Sequence, residues 1–223
     1  MRELRPLTPD RVTDLVGGCA PCTFWQTVPH NGHSGPREPL DLLAEWVETV
    51  TSEWGSPGRV AYVDEQPAGH VLLAPARYVP RLAAFPTSPS DPSTLMLVTV
   101  MTTPEQAGIR KTLVQTAAKD ALAHRARSLE AVGARPLAVS RHACVLDVPF
   151  LEKVGFRVER DHPAYPRMRI DLRTVVTLRD EVAEALSRAL ARVPGVHPAP
   201  APHPNGTSRA SVADARPERP LSR

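Results

Sequence analysis

The sequence predicts an α/β chain of the α+β kind, and three observations carry that prediction. Apolar residues recur at three- and four-residue steps between Glu38 and Trp54, which is typical of a helix with one buried face. Two β-rich runs, Arg59 to Asp64 and Ala68 to Ala74, flank a short polar turn and predict a hairpin. An apolar run from Leu95 to Met101 precedes a second helical pattern, which predicts a strand followed by a helix.

The other elements of the domain follow from capping, breaking and alternation signals. They are a short helix from Asp10 to Val16, a strand from Ser128 to Val132, a short helix between Asp147 and Gly155, and paired strands at Phe156 to Arg160 and Arg167 to Leu172. The connection from Pro75 to Ser93 is either a functional loop or contains a strand near Tyr78 to Phe85.

The remainder of the chain has a different composition. A domain is expected over residues 1–176, followed by an amphipathic helix at 177–193, where apolar residues recur about every four positions. Residues 194–223 are rich in proline and poor in large apolar side chains, so they cannot bury enough surface to offset the entropy of ordering. We expect this tail to be disordered.

Charge and hydropathy exclude several classes of function. The formal charge is +3 and the pI is near 9.0, but the 27 basic residues are dispersed and only Lys111, Lys119 and Lys153 are lysines. This pattern does not predict a nucleic-acid surface. No segment approaches the apolar length of a signal peptide core or a membrane span, so a cytoplasmic protein without a membrane partner is expected.

The segment after the strand Leu95 to Met101 has the character of an anion site. It reads Gly108-Ile109-Arg110-Lys111-Thr112-Leu113 and begins a predicted helix near Gly108. A helix start presents unpaired N–H groups and the positive end of the helix dipole, a combination that binds phosphate. The alternative is an ordinary strand-to-helix unit in which the glycine allows close packing.

The three cysteines leave two interpretations open. Cys19 and Cys22 form a CxxC, while Cys144 stands two residues after His142. These four residues can supply the ligands of a tetrahedral zinc site. A redox CxxC normally opens a helix, whereas Cys19 precedes the strand-like Thr23 to Trp25. We expect inert, partly buried thiols and no metal.

The order of elements resembles that of the GNAT superfamily of N-acetyltransferases over roughly Leu4 to Arg173. Two motifs carry the resemblance. The segment starting at Gly108 is similar to the family's acetyl-CoA pyrophosphate loop, and Phe150-Leu151-Glu152-Lys153-Val154-Gly155-Phe156 is similar to its second CoA-side motif. The resemblance implies a mixed, mostly antiparallel central sheet flanked by helices, with acetyl-CoA as the acyl donor.

The resemblance also implies which residues meet acetyl-CoA. The strand end exposes backbone groups to the pantetheine arm where its ladder is broken near Val100 to Thr102, and the helix start meets the diphosphate. The implied cofactor-binding residues are Val100, Met101, Thr102, Gly108, Ile109, Arg110, Lys111, Thr112 and, where the family often has an asparagine, Cys144.

The sequence departs from the family pattern at several positions. Glu105 begins the loop, Arg110 replaces a small residue, and fewer residues separate the Pro-Glu pair from Gly108 than is usual. Arg110 and Lys111 can offset the charge of Glu105 beside a diphosphate. Leu151 stands where many members have a tyrosine that protonates the leaving thiolate, and Leu95 to Met101 contains no carboxylate.

Candidate catalytic residues lie in the predicted loop between the last two strands. A histidine such as His162 is the natural general base at neutral pH, and Tyr165 has a proton for the leaving thiolate. Glu65 in the first hairpin is a further titratable group. Each of these residues is equally compatible with an ordinary surface loop.

Three hypotheses of function result. The first is an acyl-CoA-dependent N-acyltransferase that moves acetyl from acetyl-CoA to an amine, either of a small molecule or of a protein. The second is a GNAT-fold module that binds CoA or nothing and acts as a sensor or interaction protein. The third is a zinc-stabilised binding protein. The sequence identifies neither the acceptor nor the oligomeric state.

Overall fold

The computed structural model describes residues 2–20, 22–28, 38–138 and 142–172, so the helix predicted at 177–193 and the tail predicted at 194–223 lie outside the described residues. The strands are β1 (Arg2–Pro6), β2 (Gly58–Val63), β3 (Gln66–Pro75), β4 (Leu95–Thr102), β5 (Ser128–Ala134), β6 (Leu146–Asp147), β7 (Arg157–Arg160) and β8 (Arg167–Asp171). The α-helices are α1 (Pro39–Glu53), α2 (Arg110–Ala123) and α3 (Val148–Lys153). Short 3₁₀ helices occupy Pro9–Asp14, Ala76–Tyr78, Pro80–Ala84 and Pro104–Ile109.

The strands form one mixed sheet in the order β1-β2-β3-β4-β5-β8-β7, with β6 beside β5. Only the β4–β5 and β5–β6 pairs of the described sheet are parallel. The predicted mixed, mostly antiparallel sheet is therefore confirmed. The sequence interpretation missed β1, because this edge strand carries charged residues and only one large apolar side chain between its ends.

Each face of the sheet carries its own hydrophobic core. The first face is covered by the 3₁₀ helix Pro9–Asp14, by α1 and by the 3₁₀ helix Pro80–Ala84. The second face is covered by α2 and α3. Side chains alternate between these two faces along each strand.

Several predicted boundaries are corrected by the structure. The first predicted helix is the 3₁₀ helix Pro9–Asp14, and Thr23 to Trp25 forms a turn. No strand forms in the described connection between β3 and β4, which contains two 3₁₀ helices. The hairpin turns at Asp64 and Glu65, whose positive φ angles of 49° and 63° suit a two-residue hairpin loop.

The helix starts show how local chemistry sets the fold. Asp147 caps α3 by accepting a hydrogen bond from the Phe150 N–H at 2.9 Å, as the sequence predicted. By contrast, α2 does not begin at Gly108. The preceding 3₁₀ helix runs directly into it, and the Arg110 N–H donates to the Ala107 carbonyl. The connection between β4 and α2 is therefore largely helical.

Candidate functional site

A slot opens between β4 and β5, where two parallel strands separate. Met96 and Glu130 are the only Cα partners that join these strands in the described part of the chain. Beyond this pair β4 continues to Thr102, while β6 takes the position beside Gly133 at the end of β5. Backbone N–H and C=O groups need partners, so the edge of β4 that faces the slot is suited to an extended, amide-containing ligand.

A β-bulge in β4 lies beside the slot. Leu72 of β3 pairs with Thr99, whereas the next residue of β3, Leu73, pairs with Leu97, so Val98 is the additional residue. The bulge bends β4 and aims Thr99 towards the first face. The sequence predicted that the hydrogen-bond ladder of β4 breaks near Val100 to Thr102, whereas the irregularity lies nearer the start of the strand. On the β3 side the irregularity is at Val98, and pairing then resumes as far as Thr102.

Gly108 lies in the 3₁₀ helix that leads from β4 into α2, and it has open space beside it. A Cβ atom built on Gly108 would meet nothing within 4 Å, and this residue does not have a positive φ. Neither close packing nor backbone conformation therefore requires a glycine here. The open space leaves the backbone of Gly108 accessible to a ligand.

The other residues predicted at this end divide between core and surface. Ile109 and Val100 pack in the core of the second face, so only their backbone groups can meet a ligand. Lys111 and Thr112 are exposed on the first turn of α2. Met101 is partly exposed at the end of β4.

Arg110 connects the start of α2 to the start of α3. Its guanidinium lies 3.7 Å from the Asp147 carboxylate and 3.8 Å above the centre of the Phe150 ring. The expectation that Arg110 offsets Glu105 omitted these neighbours. The carboxylate of Asp147 brings a second negative charge close to the predicted diphosphate position.

Four buried polar atoms have no hydrogen-bond partner within the described residues: His70 Nε2, Thr99 Oγ1, Glu130 Oε2 and Arg167 Nε. Their residues lie on β3, β4, β5 and β8, which are neighbours in the sheet. Register and alternation place all four on the first face. Because unpaired buried polar atoms are rare, they mark this face as the one that receives a polar ligand or water.

His70 is fully buried on β3, beside Met101 of β4. Its Nδ1 accepts a hydrogen bond from the Val16 N–H at 3.2 Å. Burial lowers the pKa of His70 to about 3, so the ring is neutral over the physiological range.

Glu130 lies at the closed end of the slot and forms an ion pair with Arg167 at 3.2 Å without a hydrogen bond. Burial raises the pKa of Glu130, while Arg167 and Arg169 act in the opposite direction. The sequence interpretation passed over both His70 and Glu130. Each is a single titratable residue inside an otherwise apolar strand, and this is the signal that identifies such residues.

The two predicted catalytic residues lie in the turn between β7 and β8. His162 Nδ1 accepts hydrogen bonds from the N–H groups of Ala164 and Tyr165 at 3.2 and 3.0 Å. The neutral ring therefore carries its proton on Nε2, and His162 can act as a base only after it gives up these two hydrogen bonds. Tyr165 packs edge-on against Phe85 in the layer over the first face, and its carbonyl accepts a hydrogen bond from Thr87. The turn runs beside the end of β5 through the hydrogen bond from the Gly133 N–H to the Pro166 carbonyl.

Cys144 lies in a different environment from the one that the resemblance implies. It is buried, and its Sγ atom lies 3.6 Å from Cys19 Sγ and 3.4 Å from Cys22 Sγ. The contact with Cys19 and burial raise the pKa of the Cys144 thiol to about 12, although the contact with Cys22 opposes this shift. The ring of His142 stacks on Phe24 beside these thiols. The structure thus brings together the four residues that the sequence offered as zinc ligands.

Leu151 is fully buried in the core of the second face. The position where a tyrosine was expected from the family pattern therefore has a packing role here. No helix within the described ranges is long and apolar enough to cross a membrane.

Comparison with known proteins relates this architecture to a family. No protein-family model matches the chain, and no curated protein does. An N-acetyltransferase from Staphylococcus aureus Mu50 matches in structure with a TM-score of 0.50 at 14% identity, over 77% of this chain and 99% of that chain. The yncA protein from Salmonella typhimurium, solved with its cofactor acetyl-CoA, matches with a TM-score of 0.50 at 13% identity, over 77% and 94% of the two chains.

A third structure, the PaiA N-acetyltransferase from Thermoplasma acidophilum in complex with coenzyme A, covers 77% of this chain and 99% of its own at 19% identity, with a TM-score of 0.49. The chain has the fold of the GNAT N-acetyltransferases, which confirms the resemblance predicted from the order of elements and the two motifs.

Proposed function

We propose that this protein is an acyl-CoA-dependent N-acyltransferase that transfers an acetyl group from acetyl-CoA to an amine. The observation that carries the proposal is the slot between β4 and β5, which opens beyond the Met96–Glu130 pair. The chain then leads from β4 through a 3₁₀ helix, in which Gly108 is uncovered, into α2. An extended thioester arm fits an edge of unpaired backbone groups, and a diphosphate fits the uncovered backbone that precedes α2.

In this proposal the cofactor-binding residues divide into three groups. Backbone groups of Val100, Met101 and Thr102 line the pantetheine arm. The diphosphate is met by Gly108, the Ile109 backbone, Arg110, Lys111 and Thr112, as the sequence predicted. Cys144 was predicted near the arm by resemblance, and its contacts with two further thiols make it the least supported member of the set.

The reaction needs a neutral amine, a thioester held beside it and a polarised carbonyl. When bound, acetyl-CoA supplies the carbonyl carbon that the amine nitrogen attacks, and the CoA thiolate leaves. We assign removal of the amine proton to His162, which must first give up the two hydrogen bonds at its Nδ1, and protonation of the thiolate to the Tyr165 hydroxyl. Both assignments are supported by the turn that runs beside the end of β5.

A second candidate function is a catalytically weak GNAT-fold module that binds CoA or a protein partner. Three observations favour it. Leu151 has no ionisable proton for the thiolate, and its side chain is buried in the core. No carboxylate stands on β4. The Asp147 carboxylate lies beside Arg110 and disfavours a diphosphate there.

Calorimetric titration with acetyl-CoA, followed by measurement of CoA thiol release with a panel of amines, tests the proposal. Binding with amine-dependent release supports the acyltransferase. Binding without release for any amine supports the module, and the absence of binding contradicts both.

The two catalytic assignments have matched controls. Tyr165→Phe keeps the ring on Phe85 and removes only the hydroxyl, so kcat should fall about 10-fold or more. Tyr78→Phe removes a hydroxyl that donates to Glu53 and should leave kcat unchanged. His162→Gln is compared in the same way with His124→Gln, whose ring stacks on Trp54. Equal effects within a pair would refute the corresponding assignment.

A further inference from the structure

Four side chains from two distant parts of the chain converge beside the first face of the sheet. Cys19 and Cys22 follow the 3₁₀ helix Pro9–Asp14, and His142 and Cys144 precede β6. The Sγ atom of Cys144 lies 3.6 Å from that of Cys19 and 3.4 Å from that of Cys22. His142 Nε2 lies 4.0 Å from Cys22 Sγ. The ligand atoms of Cys22, His142 and Cys144 all lie within 4.8 Å of one another.

These separations match those of ligands around a tetrahedral zinc ion. Zinc–sulfur bonds of about 2.3 Å and zinc–nitrogen bonds of about 2.0 Å place tetrahedral ligand atoms roughly 3.5 to 3.8 Å apart. The separations of 3.4, 3.6 and 4.0 Å differ from this range by only a few tenths of an ångström. Shifts of this size suffice for Cys22, His142 and Cys144, whereas Cys19, whose Sγ lies 3.6 Å from that of Cys144 but outside the group of three, needs a larger side-chain shift to become the fourth ligand.

A disulfide explains the cluster less well. A disulfide joins two sulfur atoms at about 2.05 Å and leaves other groups unused. Here Cys144 is nearly equidistant from Cys19 and Cys22, and His142 lies beside the same group of thiols. A metal ion uses all four side chains at once, and three thiols with one imidazole form a ligand set typical of structural zinc.

Surrounding contacts hold the ligands in place. The ring of His142 stacks on Phe24 with centroids 4.1 Å apart. The Trp25 indole N–H donates to the Cys144 carbonyl at 3.3 Å. The Arg81 guanidinium lies 4.4 Å from the centre of the Phe24 ring, the same ring on which His142 stacks. Because Zn²⁺ with three thiolates has a net charge of −1, a nearby guanidinium stabilises the complex.

We propose that Cys19, Cys22, His142 and Cys144 bind one zinc ion as a closed structural site. Binding converts three thiols to thiolates and releases three protons, while His142 coordinates through Nε2 as neutral imidazole. Coordination by Nε2 requires the ring proton on Nδ1, so the metal-bound state loses the hydrogen bond from the Cys144 N–H to Nδ1. With four protein ligands, the ion has no position for a substrate.

The site would also fix the loop between the 3₁₀ helix Pro9–Asp14 and Cys22 against the end of β4. Gly17, two residues before Cys19, packs so closely on the end of β4 that an added Cβ would lie 2.7 Å from the Met101 methyl carbon. Anchoring Cys19 and Cys22 to the segment before β6 therefore fixes the loop that lies over Met101. The zinc ion is inferred to join the two segments beside the slot without taking part in chemistry.

Metal analysis of the full chain, purified without a metal-affinity tag, tests the proposal. We expect about one zinc per chain and no comparable amount of iron or copper. Cys22→Ser and His142→Ala should each lower the bound zinc at least fivefold after dialysis. His124→Ala changes a histidine that stacks on Trp54, outside the cluster, and should retain the full amount.

Measurements on the unaltered chain keep the proposal testable if a variant does not fold. Replacement of zinc by Co²⁺ should give the intense visible absorption of tetrahedral thiolate coordination. Thiol titration should find fewer than one reactive cysteine in the folded, zinc-loaded chain and three after chelation and unfolding in denaturant. The absence of bound metal after the reduced chain is incubated with excess zinc would overturn the proposal, whether the three thiols are then free or Cys22 and Cys144 form a disulfide.

Discussion

Met96 and Glu130 mark the point where the sheet opens, because in the described part of the chain they are the only Cα partners between parallel β4 and β5. The side chain of Glu130 is 6% exposed, and both Arg167 and Arg169 lie on the neighbouring strand β8. At the closed end of the slot, β4 thus contributes the hydrophobic residue Met96, and β5 contributes Glu130, which forms a buried ion pair with Arg167 of β8. Ligand access is expected only beyond this point.

Glu130 is expected to stabilise the fold at this junction. Glu130→Gln keeps the size of the side chain but leaves Arg167 as an uncompensated, largely buried cation, and should lower the free energy of unfolding by about 1–3 kcal/mol. Urea unfolding measures this change. Glu159→Gln is the control, since Glu159 contacts the same Arg169 at 3.6 Å but is 41% exposed, and should change stability by less than about 0.5 kcal/mol. Equal losses would contradict the role of burial.

Gly108→Ala should affect stability and binding in opposite directions. An alanine in a helical, uncrowded position stabilises by about 0.5–1 kcal/mol, because the unfolded chain loses conformational freedom. The same methyl group would stand between the backbone and a diphosphate, and should weaken acetyl-CoA binding roughly tenfold, or about 1.4 kcal/mol. Thermal unfolding and calorimetry measure the two effects.

A matched control for Gly108→Ala lies at the other end of α2. Ala123→Leu places a larger side chain on an exposed position of the same helix and should leave acetyl-CoA affinity unchanged. If Gly108→Ala binds acetyl-CoA as tightly as the unaltered chain, the glycine does not lie beneath the diphosphate.

The Asp147 carboxylate should weaken the binding of an anion beside Arg110. Asp147→Asn retains an oxygen that can cap α3 but removes a charge 3.7 Å from Arg110, so affinity for acetyl-CoA should rise severalfold at low salt. Asp147→Ala also removes the cap and should cost about 1 kcal/mol of stability. Titrations at two salt concentrations and urea unfolding separate these effects. An affinity that does not respond to Asp147→Asn would place the diphosphate elsewhere.

His70 should make the fold sensitive to acid. Its pKa is lowered from 6.5 to about 3 by burial, so between these values the unfolded chain binds a proton that the folded chain does not. This contribution to stability is complete above pH 6.5 and is lost as the pH falls towards 3, with a slope of at most about 1.4 kcal/mol per pH unit.

Replacement of His70 isolates this contribution. His70→Gln keeps an acceptor for the Val16 N–H and should reduce the loss of stability on acidification in urea unfolding. His124→Gln, a change outside the core, should leave the pH dependence as in the unaltered chain. A His70→Gln profile that matches the unaltered chain would show that His70 titrates normally.

The sequence predicted those elements whose signals are local. The stripe from Glu38 to Trp54, the apolar run of β4 and the Asp147 cap each give a helix, strand or helix start that the structure confirms. It was wrong about the start of α2, because the short loop allows the 3₁₀ helix Pro104–Ile109 to continue into the helix. Side-chain pattern does not reveal that continuation.

The candidate site could be predicted only in part. The strand end and Gly108 were identified from their order in the chain, whereas the buried polar groups His70 and Glu130 were passed over. Their importance comes from pairing across strands, where His70 faces Met101 and Glu130 faces Met96. Alternation along one strand does not reveal which residue of another strand lies opposite.

The sequence by itself determined the fold class, two motifs that resemble the CoA-side motifs of the family and the identities of four potential zinc ligands, because periodicity, capping and residue type are local properties of the chain. Only the tertiary structure decided that β4 and β5 separate beyond Met96 and that Cys19, Cys22, His142 and Cys144 meet. Segments more than a hundred residues apart are brought together by burial of the two faces of one sheet, and that packing depends on the whole domain.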